Sequence, residues 1–272
     1  MINRVQWAEL PPDFRACVEA RTGAVLSSQT VPQGLSCTVA LTLNTVQDGL
    51  LFLKGVRDSD TDGTAALRWE RLVSPAVAGI APEIRHAFHA YGWSCLAFTH
   101  VEGRNADLGP GSADLAAVAE ALERMGELAP PDIQPPPLTN RLAGYLSPGE
   151  ADALAGEHLL HTDTNPHNIM IDSRGCAHVV DWAMSAVGPA WVDPAYTAVR
   201  LMEYGQPPAA ALSWLNRFAS WRHADPKAVE ALVSATCRKW TDKVGERGSL
   251  ASNARFRHLA THHDRSRNVS PT

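Results

Sequence analysis

Three oxygen-bearing side chains stand out by type and spacing. Asp163 and Asn168 lie in the run His161-Thr162-Asp163-Thr164-Asn165-Pro166-His167-Asn168-Ile169-Met170-Ile171, and Asp181 closes His178-Val179-Val180-Asp181-Trp182. The order is an acid, four residues, an asparagine, a short apolar strand, a turn, and a second apolar strand ending in an acid. That order describes a phosphoryl-transfer site, in which one carboxylate orients and deprotonates an attacking hydroxyl. A side-chain amide and a second carboxylate hold Mg²⁺ on the nucleotide phosphates. Asp163 fits the first role, and Asn168 and Asp181 fit the second. Any one of them alone could be a turn residue, as Asp and Asn commonly are; the joint pattern is what points to chemistry.

The elements that must position these groups can be read locally. Ile169 to Asp172 and Ala177 to Asp181 are short and rich in β-branched residues, and Ser173-Arg174-Gly175 separates them. The pair is predicted as a β-hairpin. A hairpin sets its outer ends side by side, so Asn168 and Asp181 should meet as oxygen ligands of the kind Mg²⁺ prefers. Pro166 and its polar neighbours should keep the Asp163 segment out of a helix. Upstream, Val5 to Thr22 is predicted as a short helix. Ala24 to Thr30, Cys37 to Asn44 and Gly49 to Val56 follow as three antiparallel strands. Lys54, the only lysine in the first half of the chain, sits on the third strand, and Glu70 sits on a helix predicted from Gly63 to about Ala78.

HTDTNPHN followed by VVDW resembles the motif of the aminoglycoside phosphotransferase and choline kinase group, whose usual form is His-Gly-Asp, four residues, Asn, then Ile-Asp-Trp. The resemblance implies an α+β, bilobal protein-kinase-like fold. Its small antiparallel-sheet, nucleotide-binding lobe would span residues 1–100, and its mainly helical, catalytic and substrate-binding lobe 101–272. It implies ATP or GTP with Mg²⁺, and Lys54 on the nucleotide phosphates, held there by Glu70. Gly34, Ser36 and Thr38, in the turn after the first strand, would form the phosphate loop. Phe98 would lie against the adenine ring, with backbone groups near Thr99 and Val101 reading its edge. Asp193 would brace the catalytic loop from inside the second lobe. The acceptor would be a hydroxyl of a small molecule, an antibiotic of aminoglycoside or nucleoside type, and the role resistance or self-protection. Thr162 stands where Gly is usual, and Trp182-Ala183 follows the metal Asp in place of Phe-Gly. No Ala-Pro-Glu follows, which favours a small-molecule kinase over a protein kinase. A nucleotide-binding pseudokinase that scaffolds a partner is the alternative, and Thr162 is its only support.

Composition sets the outer limits. The chain has 272 residues, 45% of them hydrophobic, and a formal net charge of −5, so a full core is available. The charge carries no nucleic-acid or membrane signature. Cys17, Cys37, Cys95, Cys176 and Cys237 are scattered without a Cys-x-x-Cys pair, which argues against a zinc cluster or disulfide framework and suits a reducing cytoplasm. No run reaches membrane-spanning length. The oligomeric state is left open.

Charge is uneven along the chain. From Ala190 onward there are seven acidic and twelve basic residues, whereas acids crowd between Asp107 and Glu157, including Glu150, Asp152 and Glu157. A polycationic acceptor would bind against that acidic stretch. Trp191, Trp214, Trp221 and Tyr204 could stack on a ring or belong to the core. Helices are predicted for Asp114 to Leu128, Ala195 to Tyr204, Pro208 to Trp221 and Asp225 to about Val244. Arg255 to Arg267 reads as a solvated basic tail, and Asn268 to Thr272 as a disordered end.

Overall fold

Alternation along one strand organises the N-terminal half. Leu51 and Leu53 point to one face of a sheet, and Phe52, Lys54 and Val56 to the other. The computed structural model describes residues 4–32, 37–133 and 135–268, so Gly34 and Ser36 of the expected phosphate loop, and Val269 to Thr272, lie outside the described residues. In chain order the first elements are α1 (Pro12–Thr22), β1 (Val25–Thr30), β2 (Val39–Thr45), β3 (Gly49–Arg57), α2 (Thr61–Val73), β4 (Ile84–Ala90), β5 (Trp93–Thr99) and β6 (Gly103–Asn105). Then come α3 (Asp114–Met125), α4 (Leu138–Arg141), α5 (Pro148–Ala153), β7 (His158–Leu160), β8 (Ile169–Asp172), β9 (Ala177–Val179) and β10 (Ala186–Gly188). The last are α6 (Val192–Glu203), α7 (Pro208–Leu215), α8 (Ala219–Arg222) and α9 (Pro226–Asn268).

These elements divide into two units. The first comprises residues 1–105 and 170–184, the second 106–169 and 185–272. The boundary expected near residue 100 falls after Asn105, and the β8–β9 segment groups with the N-terminal unit.

In the first unit an antiparallel sheet runs in the order β1-β2-β3-β5-β4. Phe14 and Val18 of α1 pack on one face against Leu41, Leu43, Leu51, Leu53, Phe88 and Trp93. Full burial of each large side chain contributes about 1.5–3 kcal/mol. The other face carries Cys37, Val56, Leu96 and Phe98, covered by Leu67 of α2. Gly55 is required where β3 meets β5, because a Cβ there would overlap the Cys95 sulfur and the Ser94 carbonyl. Tyr91 (φ 52°) and Gly92 (φ 78°) make the two-residue turn between β4 and β5, with the left-handed pair that matches strand twist. The N-cap of α2 is Asp60, whose carboxylate accepts from the Gly63 amide at 2.9 Å. The sheet β6-β8-β9 completes this unit.

The second unit is helical, with a short β7–β10 pair. α6 is buried along most of its length, and α3 contributes Val118, Leu122 and Met125 to the core. Two expectations need correction here. Pro208 to Trp221 is two helices, α7 and α8. Arg255 to Arg267 is not a solvated tail: α9 is interrupted at Gly245 (φ 77°, ψ 165°), and its second segment brings Phe256, Leu259 and His263 into the core at helical spacing. Phe256 meets Tyr196 edge-on at 6.0 Å, and His263 meets Trp221 at 4.9 Å. Among the described residues, no helix is long and apolar enough to cross a membrane.

Candidate active site

In the first unit the alternation of β3 aims Lys54 at the face covered by α2, where Glu70 follows Leu67 on the same helical side. Lys54 Nζ donates to Glu70 Oε2 at 2.7 Å and to Asp181 Oδ1 at 2.7 Å. Lys54 is 6% exposed and Glu70 4%, whereas the Asp181 side chain retains 32% exposure. Burial alone would lower the lysine's pKa; the Glu70 and Asp181 carboxylates outweigh it and hold Lys54 above its ordinary value, so the ammonium persists. Asp181 stands two residues past β9, which ends at Val179 and not at Asp181 as expected. Its φ of 65° turns the chain there. Behind it the turn Trp182–Met184 packs against α2, with the Trp182 indole donating to the Val179 carbonyl at 3.0 Å.

In the second unit the loop after β7 is built around Asp193. This carboxylate, 2% exposed at the start of α6, accepts from the His161 amide at 2.7 Å through Oδ2 and from the Thr162 amide at 2.8 Å through Oδ1. Burial pushes the Asp193 carboxyl up, and His161 with the two amides pulls it back. Thr197 Oγ1 ties the Thr164 hydroxyl (2.7 Å) to the Asp193 carbonyl (2.8 Å). Held this way, Thr162 adopts φ 67°, an uncommon region for a β-branched residue. That angle explains why Gly is usual at this place.

The loop presents Asp163, whose side chain is 41% exposed. Asn165 Nδ2 donates to its Oδ1 at 2.9 Å, and Asn168 Nδ2 donates to its main-chain oxygen at 3.0 Å and to Oδ2 at 3.3 Å. Asn165 works twice, because its Oδ1 also caps the turn Pro166–Asn168 by accepting from the His167 amide at 2.9 Å. Pro166 therefore opens a short 3₁₀ turn instead of excluding helix, as Pro can at a first helical position. Arg200 of α6 approaches Asp163 Oδ1 at 3.9 Å. Reading the sequence missed Asn165 and Arg200. The Asn-Pro dipeptide, a turn initiator, was the available signal for the first; no local signal marks the second.

The remaining expected residues are distributed as follows. Thr38 is half-buried, its hydroxyl without a hydrogen-bond partner among the described residues. Phe98 lies opposite Phe52 on the Lys54 face, buried in the cluster with Leu96 and Val56. The Thr99 amide donates to the Glu83 carbonyl at 2.8 Å, and Val101 is half-buried. Glu150 is engaged locally: it caps α5 through the Ser147 amide at 2.8 Å and pairs with Arg238 at 2.9 Å. Trp191 and Trp221 are core residues packed edge-on at 5.9 Å, and the Trp214 indole donates to the Leu115 carbonyl at 3.2 Å.

Each unit offers one oxygen of a kind that Mg²⁺ takes. Asn168 spends its amide N–H groups on Asp163, which leaves its amide oxygen to serve a ligand, and Asp181 supplies a half-exposed carboxylate. Among the described residues no group of three or more His, Cys, Asp or Glu gathers to hold a metal by itself. A Mg²⁺ on either oxygen would take the rest of its shell from phosphate and water, as it commonly does.

Residues 150–232 match the family described as the phosphotransferase enzyme family. Among curated proteins no sequence matches significantly. The fold matches an aminoglycoside phosphotransferase from Alicyclobacillus acidocaldarius, with TM-score 0.55, 13% identity, and 94% of each chain covered. It matches choline kinase LicA from Streptococcus pneumoniae, with TM-score 0.53, 11% identity, and 92% of this chain and 99% of that one covered. It also matches the GDP and kanamycin complex of APH(2")-IIIa, with TM-score 0.55, 13% identity, and 94% and 99% covered. The fold is protein-kinase-like, α+β, and residues 150–232 are similar to the phosphotransferase enzyme family.

Proposed function

We propose that the protein transfers the γ-phosphoryl group of ATP or GTP to a hydroxyl of a small molecule. The observation that carries this reading is the Lys54 ammonium fixed between Glu70 and Asp181 at 2.7 Å each. That arrangement suits a cation that neutralises phosphate charge, with Glu70 as its anchor and Asp181 as the carboxylate for Mg²⁺. Asn168 would supply the second protein oxygen to the ion. Mg²⁺, when bound, would neutralise charge on the phosphate oxygens.

Asp163 is the group for the acceptor. Asn165 and Asn168 orient its carboxylate, which aligns the hydroxyl and takes its proton as the new O–P bond forms. The bond from the γ-phosphorus to its bridging oxygen breaks, and the nucleoside diphosphate leaves with that electron pair. Catalysis of this kind is positioning plus electrostatic stabilisation. Thr38, with Gly34 and Ser36, would line the phosphates, and Phe98, Thr99 and Val101 the base. The GDP complex among the similar structures supports a nucleotide site.

The acceptor we propose is of antibiotic type, with resistance or self-protection as the role, a reading supported by the aminoglycoside phosphotransferases of the same fold. Five free cysteines and dependence on ATP suit the cytoplasm. The test is ³¹P NMR of an acceptor panel incubated with enzyme and MgATP, alongside calorimetry of nucleotide binding. A phosphorylated product, together with MgATP affinity that Asp181→Ala weakens far more than metal-free ATP affinity, supports the assignment. Equal losses with and without Mg²⁺ would remove Asp181 from the metal role.

A further inference from the structure

The surroundings of Asp163 are cationic. Arg200, 40% exposed, reaches Asp163 at 3.9 Å, beyond hydrogen-bond length, and spends a single hydrogen bond on Glu203 at 2.6 Å. A guanidinium presents several further N–H donors in a fixed fork. Arg255, from the second segment of α9, reaches the same Glu203 at 3.4 Å, so one carboxylate serves two guanidinium groups. The Arg255 Nε is buried and has no hydrogen-bond partner among the described residues.

Arg141 is the third member. It ends α4, is half-buried, and its guanidinium makes no hydrogen bond or ion pair among the described residues. Burial lowers its pKa, and Tyr196, Asp163 and Asp193 raise it. Lys239, whose ammonium donates to the Arg141 carbonyl, adds a fourth cation. Against these stand Asp163, Glu203 and Asp193, and the last has both oxygens committed to main-chain amides.

A half-buried guanidinium that spends no donor on the protein has its N–H groups left to serve a ligand. The arginine fork matches planar carboxylates and phosphates. Of the acids a polycation could use, Glu150 is already tied to Ser147 and Arg238.

We infer that the acceptor carries an anionic group, a carboxylate or a phosphate, and that Arg200 and Arg141, with Arg255 behind them, hold this group while Asp163 receives the hydroxyl. The inference rests on the phosphotransferase reading, since it concerns the acceptor of the same Asp163. It sets this chain apart from kinases of polycations, whose substrates these arginines would repel.

Two measurements test it. In the first, enzyme and MgATP are offered matched sugars that differ only in charge: a neutral sugar, its uronic acid, its phosphate ester and an amino sugar. ADP release is recorded over a range of salt. The anionic members are expected to be preferred, with KM rising with ionic strength. Arg200→Gln should raise KM by about tenfold or more with kcat nearly kept, since the guanidinium binds ground state and transition state alike. Arg141→Met should raise KM similarly while leaving the melting temperature unchanged or higher, which loss of a merely structural residue would not do. A neutral or amino sugar as best substrate, with a KM indifferent to Arg200→Gln, overturns the proposal.

The second measurement needs no turnover. Sodium gluconate and inorganic phosphate are titrated into ¹⁵N-labelled protein, and the arginine Nε–H signals of Arg141, Arg200 and Arg255 are followed after assignment by the single variants. Saturable shifts of the Arg200 and Arg141 signals are expected. If neither anion moves them, the proposal falls whatever the enzyme phosphorylates. Shifts without phosphorylation of any sugar uphold the anion site and count against the phosphotransferase reading instead.

Discussion

The Lys54 cluster and the Asp163 loop solve opposite problems. Around Lys54 every charge is answered at 2.7 Å and two of the three side chains are buried, so the geometry is closed before any ligand arrives. Around Asp163 the carboxylate is 41% exposed, its second oxygen is held only at 3.3 Å, and the nearest guanidinium stops at 3.9 Å. Rigidity there is supplied from beneath, by buried Asp193. A saturated site binds what is invariant, and an unsaturated one is left to be completed by what varies. On the proposed function, acceptor specificity would reside in the second unit, around Asp163.

The comparison can be broken by making the same acid-to-amide change at each place. Asp163→Asn should cost roughly 10²-fold or more in turnover, from general-base magnitudes, with the urea midpoint and ATP affinity nearly unchanged. Near-normal steady-state rates would dismiss Asp163 as the base. Glu70→Gln should do the reverse first: a buried pair loses one charge, which costs about 3–5 kcal/mol of stability, and weaker ATP binding follows. Chemical denaturation that finds no loss would show that Lys54 is satisfied by Asp181 alone.

Smaller changes sharpen it. Asn165→Ala removes one hydrogen bond from the Asp163 carboxylate and one cap, and should lower kcat about tenfold, the scale expected when a reacting group is loosened without being removed. Asn165→Asp keeps the capping oxygen but not the donor, so stability should return while kcat does not. Recovery of both in single-turnover rates would reduce Asn165 to a cap. Thr162→Gly should stabilise the fold by about 1 kcal/mol, the left-handed strain relieved less the added freedom of the unfolded chain. Its signature is a higher urea midpoint at unchanged slope. The smallest effect lies outside both sites. The Ser147 amide and then Arg238 hold the Glu150 carboxyl down, from an ordinary 4.5 to about 2. A lowered acid stabilises above its unfolded value and loses that contribution as pH falls through its folded one. Wild-type stability should therefore drop between pH 4.5 and 2 by a portion that Glu150→Gln lacks, at most about 1 kcal/mol for such an exposed pair.

What could be read in the sequence was what local spacing controls. The lysine on an alternating strand and the glutamate one helical turn beyond Leu67 are set by periods of two and 3.6 residues, and the acid and asparagine of the loop by their spacing in one short run. The first three strands of the sheet in the first unit followed from the same alternation. The misses have one cause. Whether Arg255 to Arg267 is tail or core depends on a turn at Gly245, ten residues earlier, and the Arg200–Glu203–Arg255 chain joins groups from separate helices. Thr162 was visible as a departure; the φ of 67° that makes it matter is imposed by Asp193, thirty-one positions away.

The return of α9 past Gly245 also orders events during synthesis. Every residue of the first unit has been made once Met184 is added, but the core of the second waits for Leu259 and His263. At about 5–20 residues per second, that is a delay of roughly 4–15 s. Over this interval Tyr196 and Trp221 lack the rings that cover them. The nascent chain is then a folded sheet unit tethered to an open helical one, and it is in this window that a chaperone would find its apolar surface.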